Sequence, residues 1–291
     1  MIFVNLACGE SFVSRHDWVN LDYSSNHTSV IRANLLGNLP LRNNSARAVY
    51  SSHFIEHIPR AKVLSFLKEC YRVLEAQGLI RLVLPDWENL CREYLSCRDQ
   101  GEHSRGDFLM LEMLDQCVRL YPGGLLGDYF DYLKSHAHEQ PEMLEYIKLR
   151  CGEDLNLTAD LYSLVANFTD SEAPSSQSSA SRIVNLMTHP DRLMSRLQRK
   201  FSTYRIKLAT ALLPKPFREQ NVSYASIGER HAWMWDFYAL SQELERAGFH
   251  HIKRLSCDTT EIPDFPLIPL DMTVEGYPRK GQGSMYIEAR K

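Results

Sequence analysis

Four short apolar runs in the first 86 residues each end in a polar cluster: Val4-Asn5-Leu6-Ala7-Cys8-Gly9, Val19-Asn20-Leu21-Asp22, Val49 to His57, and Leu79 to Asp86. Runs of this length, rich in Val, Ile and Leu, read as buried parallel strands. Open α/β sheets bind ligands beyond the carboxyl ends of their strands, where these polar tails fall. The pattern therefore predicts an α/β fold with a nucleotide-like cofactor site at one rim of a parallel sheet. A glycine after the first strand lets backbone approach a ligand closely, and an acid ending the second can accept hydrogen bonds from a ribose. Gly9 and Asp22 fill those places.

The expected strands are Ile2–Leu6, Val19–Asp22, a short Val30-Ile31, Ala48–Ser52 and Gly78–Leu84. Between the last two lies a helix with Pro59 in its first turn and Val63, Leu67, Cys70, Tyr71 and Leu74 on one apolar face. Gly78 is expected to turn the chain into the following strand. Only nine residues separate Gly9 from Val19. A parallel crossover usually takes a dozen or more, so a helix there has one or two turns at most, or is absent.

From Trp87 to about Asn167 the pattern turns helical, with stripes such as Phe108, Leu111, Leu114, Cys117 and Val118. Tyr121-Pro122-Gly123-Gly124 marks a turn, and Ser171–Ser181, with six serines in eleven residues, reads as a flexible surface loop. The α/β pattern returns with a helix along Phe237, Leu240, Leu244 and Ala247, a stop at Gly248, and strands at Ile252–Leu255 and Ser284–Ala289.

With 44% hydrophobic and 24% charged residues, the 291-residue chain can bury a sizeable core. A net charge of −3 gives no global case for nucleic acid binding. Seven cysteines without a C-x-x-C pair fit a reducing, cytoplasmic compartment. The start lacks the basic and apolar segments of a signal peptide, and no run approaches the ~20 apolar residues of a membrane span.

Several segments together resemble the class I S-adenosylmethionine-dependent methyltransferases, closest to bacterial members with short "LGCG" and "WVNLD" motifs. Asn5 to Gly9 resembles the first motif and Trp18 to Asp22 matches the second. Ala33-Asn34-Leu35 with Leu39-Pro40-Leu41 resembles "ADL…LPF", and Tyr50 to His57 resembles "SSHVLEH". Arg72 to Gly78 resembles "RVLKPGG", and Leu82 to Asp86 the strand ending in "PD". His231 to Asp236 with Ala247-Gly248-Phe249 is similar to "HRWMYD…AGF", and Gly276 to Lys280 with Tyr286 to Arg290 to "GRPRK…YVEAR".

The resemblance implies a Rossmann-like, mostly parallel seven-stranded sheet with S-adenosylmethionine over the strand carboxyl ends. It implies a methyltransferase core at residues 1–95 and 225–291, with a mainly helical insertion at 96–224 that covers the substrate and carries the loop at 171–181. Asn5, Ala7, Cys8 and Gly9 would face the amino acid part of the cofactor. Asp22 would hold the ribose, Asn34 and Leu35 would border the adenine, and Ser51, Ser52 and His53 would line the pocket near the methyl. The first loop lacks a full Gly-x-Gly-x-Gly run, Asn5 stands where many members carry an acid, and Asn34 where most carry Asp. These departures keep open a second reading, a non-catalytic S-adenosylmethionine-binding partner protein.

His53-Phe54-Ile55-Glu56-His57 also satisfies H-x-x-E-H, a zinc peptidase pattern. That chemistry needs both histidines on a rigid helix, and a strand precedes this segment while Pro59 follows it. A zinc hydrolase using His53 and His57 is thus a third reading, and no metal site is expected. A histidine, with an ordinary pKa of about 6.5, suits general base duty toward an acceptor hydroxyl. His53, at the strand tip, is the first candidate, with His57 and His231 in reserve. Asp86 is a candidate for orienting substrate or for capping a turn, and Glu56 for a structural acceptor near the helix start.

Residues 192–218 hold eight basic and no acidic residues, with Leu193, Leu197, Phe201, Tyr204 and Leu208 near one helical face. The expectation is an amphipathic helix with a solvated basic face; the alternative is peripheral contact with an anionic membrane or lipid-linked glycan. The expected function is methyl transfer to an oxygen or nitrogen of a small molecule or saccharide, as in glycan or natural-product modification.

Overall fold

The computed structural model describes residues 2–24, 27–155, 205, 209–225 and 228–291. The chain divides into two compact units, Met1–Asn156 with Ala225–Lys291, and Leu157–Tyr224. The helical segment that begins near residue 96 therefore falls partly within the first unit. In the second unit the described residues include a helix at Lys215–Asn221, started by Pro214. The serine-rich segment at 171–181 and most of the basic stretch at 192–218 lie outside the described residues.

The first unit is built on seven strands: β1 (Ile2–Leu6), β2 (Trp18–Asp22), β3 (Val30–Arg32), β4 (Ala46–Ser52), β5 (Leu74–Pro85), β6 (His250–Leu255) and β7 (Ser284–Arg290). They form one sheet in the order β3-β2-β1-β4-β5-β7-β6. The first five run parallel and β7 is antiparallel to both its neighbours. This is the Rossmann-like, mostly parallel sheet that the strand pattern predicts.

Alternation along the strands gives the sheet two different faces. On one, Val4, Leu6, Val49 and Leu82 join the main core with α1 (Arg60–Val73), which buries Phe66 and Leu67. The terminal helix at Phe237–Ala247 adds Leu240 and Leu244 to that core. Asp236 caps its start by accepting from the Ala239 N–H (2.7 Å), and Gly248 ends it at φ 105°. Each large apolar side chain buried here contributes about 1.5–3 kcal/mol.

The other face lacks a helix between β1 and β2, as the short crossover requires. Its core is Phe3, Trp18, Tyr50, Val83, Phe265 and Tyr286, with Phe3 and Trp18 stacked at 5.1 Å. The crossover loop is tied to the sheet by amides instead. Asn5 Nδ2 donates to the Ser11 carbonyl (3.1 Å) and Asn20 Nδ2 to that of Val13 (3.0 Å). These side chains satisfy loop carbonyls that a helix would have paired within itself.

One boundary differs from expectation. The helix stops at Val73 and Leu74 already opens β5, so the turn lies at Gln77 (φ 66°). Gly78 sits inside the strand because a Cβ there would lie 3.0 Å from the Glu75 carbonyl oxygen and 3.1 Å from that of Arg47. Close backbone approach, rather than a turn, is what this glycine permits.

Beyond β5 come α2 (Trp87–Asp99), α3 (His103–Val118), α4 (Gly124–Ser135) and α5 (Pro141–Cys151). Phe108, Leu126, Leu133, Leu144 and Ile147 give them a small core of their own. The end of α5 docks backbone to backbone on the approach to β7. Gln282 N–H donates to the Leu149 carbonyl (2.9 Å) and Gly283 N–H to that of Arg150 (3.0 Å). A Cβ on Gly281 would collide with the Arg150 carbonyl, and one on Gly152 with that of Arg279. No helix among the described residues is long and apolar enough to cross a membrane.

Candidate active site

Strand register aligns the polar tails in one row. Leu6 of β1 pairs with Leu21 of β2 and Ser51 of β4, so Ala7, Asp22 and Ser52 follow side by side at the carboxyl rim. Ser52 in turn pairs with Val83 of β5. The backbone bends sharply along this row: Ala7, Gly9 and His53 all have positive φ, at 55°, 52° and 50°. Non-glycine residues in that region store strain and concentrate at functional sites. Gly9 N–H donates to Asp22 Oδ2 (2.9 Å) and Ser24 N–H to Oδ1 (2.8 Å). A carboxylate has about four acceptor positions, so Asp22 keeps capacity for two further donors. A Cβ on Gly9 would meet nothing within 4 Å, which leaves open space over the turn.

The remaining expected cofactor residues divide. Ser52 Oγ is buried without a partner, and Cys8 is buried with its thiol pushed up to about 12 by burial and by the Asp22 charge. Asn34 is exposed, its Oδ1 accepting from the Leu36 N–H (3.1 Å). Three side chains turn away from the rim. Asn5 holds the crossover loop, Ser51 Oγ donates to the Leu6 carbonyl (3.2 Å), and Leu35 is packed in the main core.

Beside the rim a cavity of about 350 Å³ opens beyond β4 and β5, roofed by α3, α4 and α5. His53, Arg150, His231 and Lys280 give it its polar wall, and Leu90 and Phe130 part of its apolar one. Arg150 is held by Glu112 (2.7 Å), Asn89 (3.1 Å) and Glu93, yet its Nη2 is buried without a partner. Arg150 and Ser284 carry no local motif that marks them in the sequence, and Lys280 ends the Gly276-to-Lys280 segment without a role assigned to it there. They reach the cavity because α5 docks on the 279–283 backbone, a long-range event.

Of the catalytic candidates, His53 and His231 line the cavity and the other two do not. Asp86 caps α2, accepting from the Asn89 N–H (3.2 Å), and pairs with Arg254. Both its oxygens are engaged in structure, so of its two expected roles the fold gives it the capping one rather than substrate orientation. His57 Nδ1 donates to the Arg230 carbonyl (3.0 Å) and its ring meets His231 edge to face at 4.8 Å. Residues 55–57 form a single 3-10 turn, so His53 and His57 do not occupy one rigid α-helix and the peptidase geometry is not formed.

The hydrogen-bond network assigns the His53 tautomer. Ser284 Oγ donates to the Lys280 carbonyl (3.0 Å) and so accepts from His53 Nε2–H (3.0 Å). The His53 Nδ1 lone pair then faces Glu56 Oε1 at 3.3 Å. Burial, reinforced by the Lys280 charge, holds His53 well below its ordinary pKa. Burial takes His231 down to about 3 and pushes the Glu56 carboxyl up to about 8.

A family model described as a methyltransferase domain matches residues 11–82, the stretch that contains β2, β3, β4, α1 and most of β5. The matched segment is that of a methyltransferase domain. No curated protein matches the chain. Among solved structures, it is similar to an S-adenosylmethionine-dependent methyltransferase from Archaeoglobus fulgidus at 10% identity, over 99% of this chain and 85% of that one, with a TM-score of 0.36. A possible histamine N-methyltransferase from Thermotoga maritima is similar at 11% identity, over 100% and 82% of the two chains, with a TM-score of 0.36. An S-adenosylmethionine-dependent methyltransferase from Mesorhizobium loti is similar at 20% identity, over 29% and 47%, with a TM-score of 0.25. The match to the Mesorhizobium protein covers about half of that chain's length. S-adenosylmethionine is the cofactor that the sequence resemblance implies. The rim fits it: the open turn at Gly9, the spare acceptor capacity of Asp22 and the orphaned Ser52 hydroxyl lie in one row.

Proposed function

We propose that the protein transfers a methyl group from S-adenosylmethionine to an oxygen or nitrogen of a small-molecule or saccharide acceptor. The observation that carries this reading is the strand register, which aligns Ala7, Asp22 and Ser52 beside a cavity of about 350 Å³. That volume suits a small acceptor. Ala7, Cys8 and Gly9 would hold the amino acid part of the cofactor through backbone, Asp22 the ribose hydroxyls, and Asn34 the adenine edge. The cofactor supplies a methyl already activated on a sulfonium, so the protein's work is positioning, water exclusion and handling of one proton.

The Arg150 Nη2 donor and the Lys280 ammonium would orient a hydroxyl-rich or anionic acceptor. His53, directly after Ser52 and neutral at ordinary pH, is the base we assign for the acceptor proton, taken by Nδ1 once the ring turns that lone pair from Glu56 toward the cavity. Helices α3 to α5 act in this reading as the substrate cover. Free thiols at all seven cysteines support a reducing, cytoplasmic setting.

The test is calorimetry with S-adenosylhomocysteine, followed by transfer of a radiolabelled methyl to a panel of sugars and hydroxylated or amine-bearing small molecules. Tight binding with labelled product supports the reading. Binding with no transfer across the panel favours the non-catalytic partner protein, and absence of binding removes both.

A further inference from the structure

Glu56, His57 and His231 form a buried cluster that the methyl-transfer reading does not use. One ligand atom from each lies within 4.8 Å of the other two. Glu56 is 1% and His231 6% exposed. Both Glu56 oxygens and His231 Nδ1 are buried without a hydrogen-bond partner. Leaving three such atoms unsatisfied in an apolar interior is costly, so the arrangement calls for something between them.

The tautomers sharpen the case. His57 Nδ1 gives its hydrogen to the Arg230 carbonyl, so its Nε2 lone pair points inward, 3.9 Å from Glu56 Oε1. A backbone carbonyl in that position is how proteins orient a metal-binding imidazole. His53 also directs a lone pair at Glu56. Acceptor atoms thus converge on Glu56, and a single carboxyl proton there could serve only one of them. Among the described residues, Lys280 and Arg119 are the cations that face the cluster, and the ionic contacts of Glu56 are to His53 and His57.

Main-chain bonds hold the three residues in place. Ala232 and Trp233 N–H both donate to the Glu56 carbonyl (2.7 and 3.1 Å), and His231 N–H donates to that of Gln116 (2.8 Å). We propose that Glu56, His57 and His231 bind one divalent first-row transition ion, with zinc as the reference case, at the wall of the acceptor cavity. Two imidazoles and one carboxylate form a known donor set for such ions. Ligand distances of about 2.0–2.2 Å would draw the three atoms together by roughly 1 Å, within the reach of side-chain rotation.

The test uses the full chain without an affinity tag, and no methyl donor or acceptor enters it, so it is independent of the proposed reaction. Zn2+ alone is titrated in competition with a chromophoric chelator, and Co2+ in place of Zn2+ is followed by visible absorption. The expected result is one equivalent of Zn2+ per chain, with Co2+ bands of nitrogen and oxygen ligation. Glu56→Gln and His231→Asn should each weaken binding at least tenfold while retaining wild-type circular dichroism. A double His250→Ala, His251→Ala variant removes an exposed histidine pair and should bind as wild type. A wild-type chain that takes up no Zn2+ overturns the proposal without recourse to any variant, as does equal binding by Glu56→Gln or His231→Asn.

Discussion

Asp22 links loop to sheet: its carboxylate receives the Gly9 and Ser24 N–H groups and still has acceptor positions free. Its place at the end of β2 was legible in the sequence from the apolar run that precedes it. Asp86, also a strand-terminal acid, was not distinguishable from it by sequence. Only the fold places Arg254 against it and turns the next residue into a helix start. Asp86→Asn should therefore lower stability by about 1–2 kcal/mol in urea unfolding, with unchanged affinity for S-adenosylhomocysteine. Arg81 is a second case that sequence pattern does not reveal. It is fully buried on β5 and bonded to Asp271 (2.6 Å) and Glu288 (2.7 Å). Replacing it strands two buried carboxylates, so Arg81→Met should cost about 3–5 kcal/mol by the same measurement.

Elements with a strong period were legible, and those fixed by contact were not. The strands of the parallel sheet, α1 and the Phe237–Ala247 helix follow from apolar spacing, and of the two expectations for the nine-residue crossover, a helix of one or two turns or none, the structure has none. The amide straps from Asn5 and Asn20 carry no periodic signal. Nor does the docking of α5 on the 279–283 backbone, which brings Arg150 and Lys280 into one cavity. Gly281 (φ 71°) marks that docking. Gly281→Ala combines backbone strain with a clash and should cost about 2–3 kcal/mol, read as a melting temperature lowered by roughly 5–10 °C. A different clamp joins α1 to the segment after β3. Glu69 accepts from the Leu39 N–H (2.6 Å) and from Arg72, which itself donates to the Leu41 carbonyl (2.9 Å). The Arg72 guanidinium holds the Glu69 carboxyl below its ordinary 4.5. The folded state therefore binds this proton more weakly than the unfolded state does. The clamp's contribution is complete above pH 4.5 and is lost as pH falls through the lowered value. Wild type and Glu69→Gln should accordingly differ in stability at pH 7 by about 1 kcal/mol, and converge under acid conditions in pH-dependent melting curves.

At the scale of the molecule, a parallel sheet sets the order of parts along its rim: Asp22 after β2, the turn at Gly9 after β1, the orphaned Ser52 hydroxyl of β4 and then the cavity. Helices inserted after β5 close that cavity, while the sheet rim beside it keeps an open turn at Gly9. The account depends on this rim being the place where the cofactor binds. Titration calorimetry with S-adenosylhomocysteine on wild type and Asp22→Ala, with the exposed pair Asp17→Asn as control, tests it most directly. One equivalent per chain is predicted for wild type and control, with affinity at least tenfold lower in Asp22→Ala. Equal affinity in all three, or no binding to wild type, would contradict it.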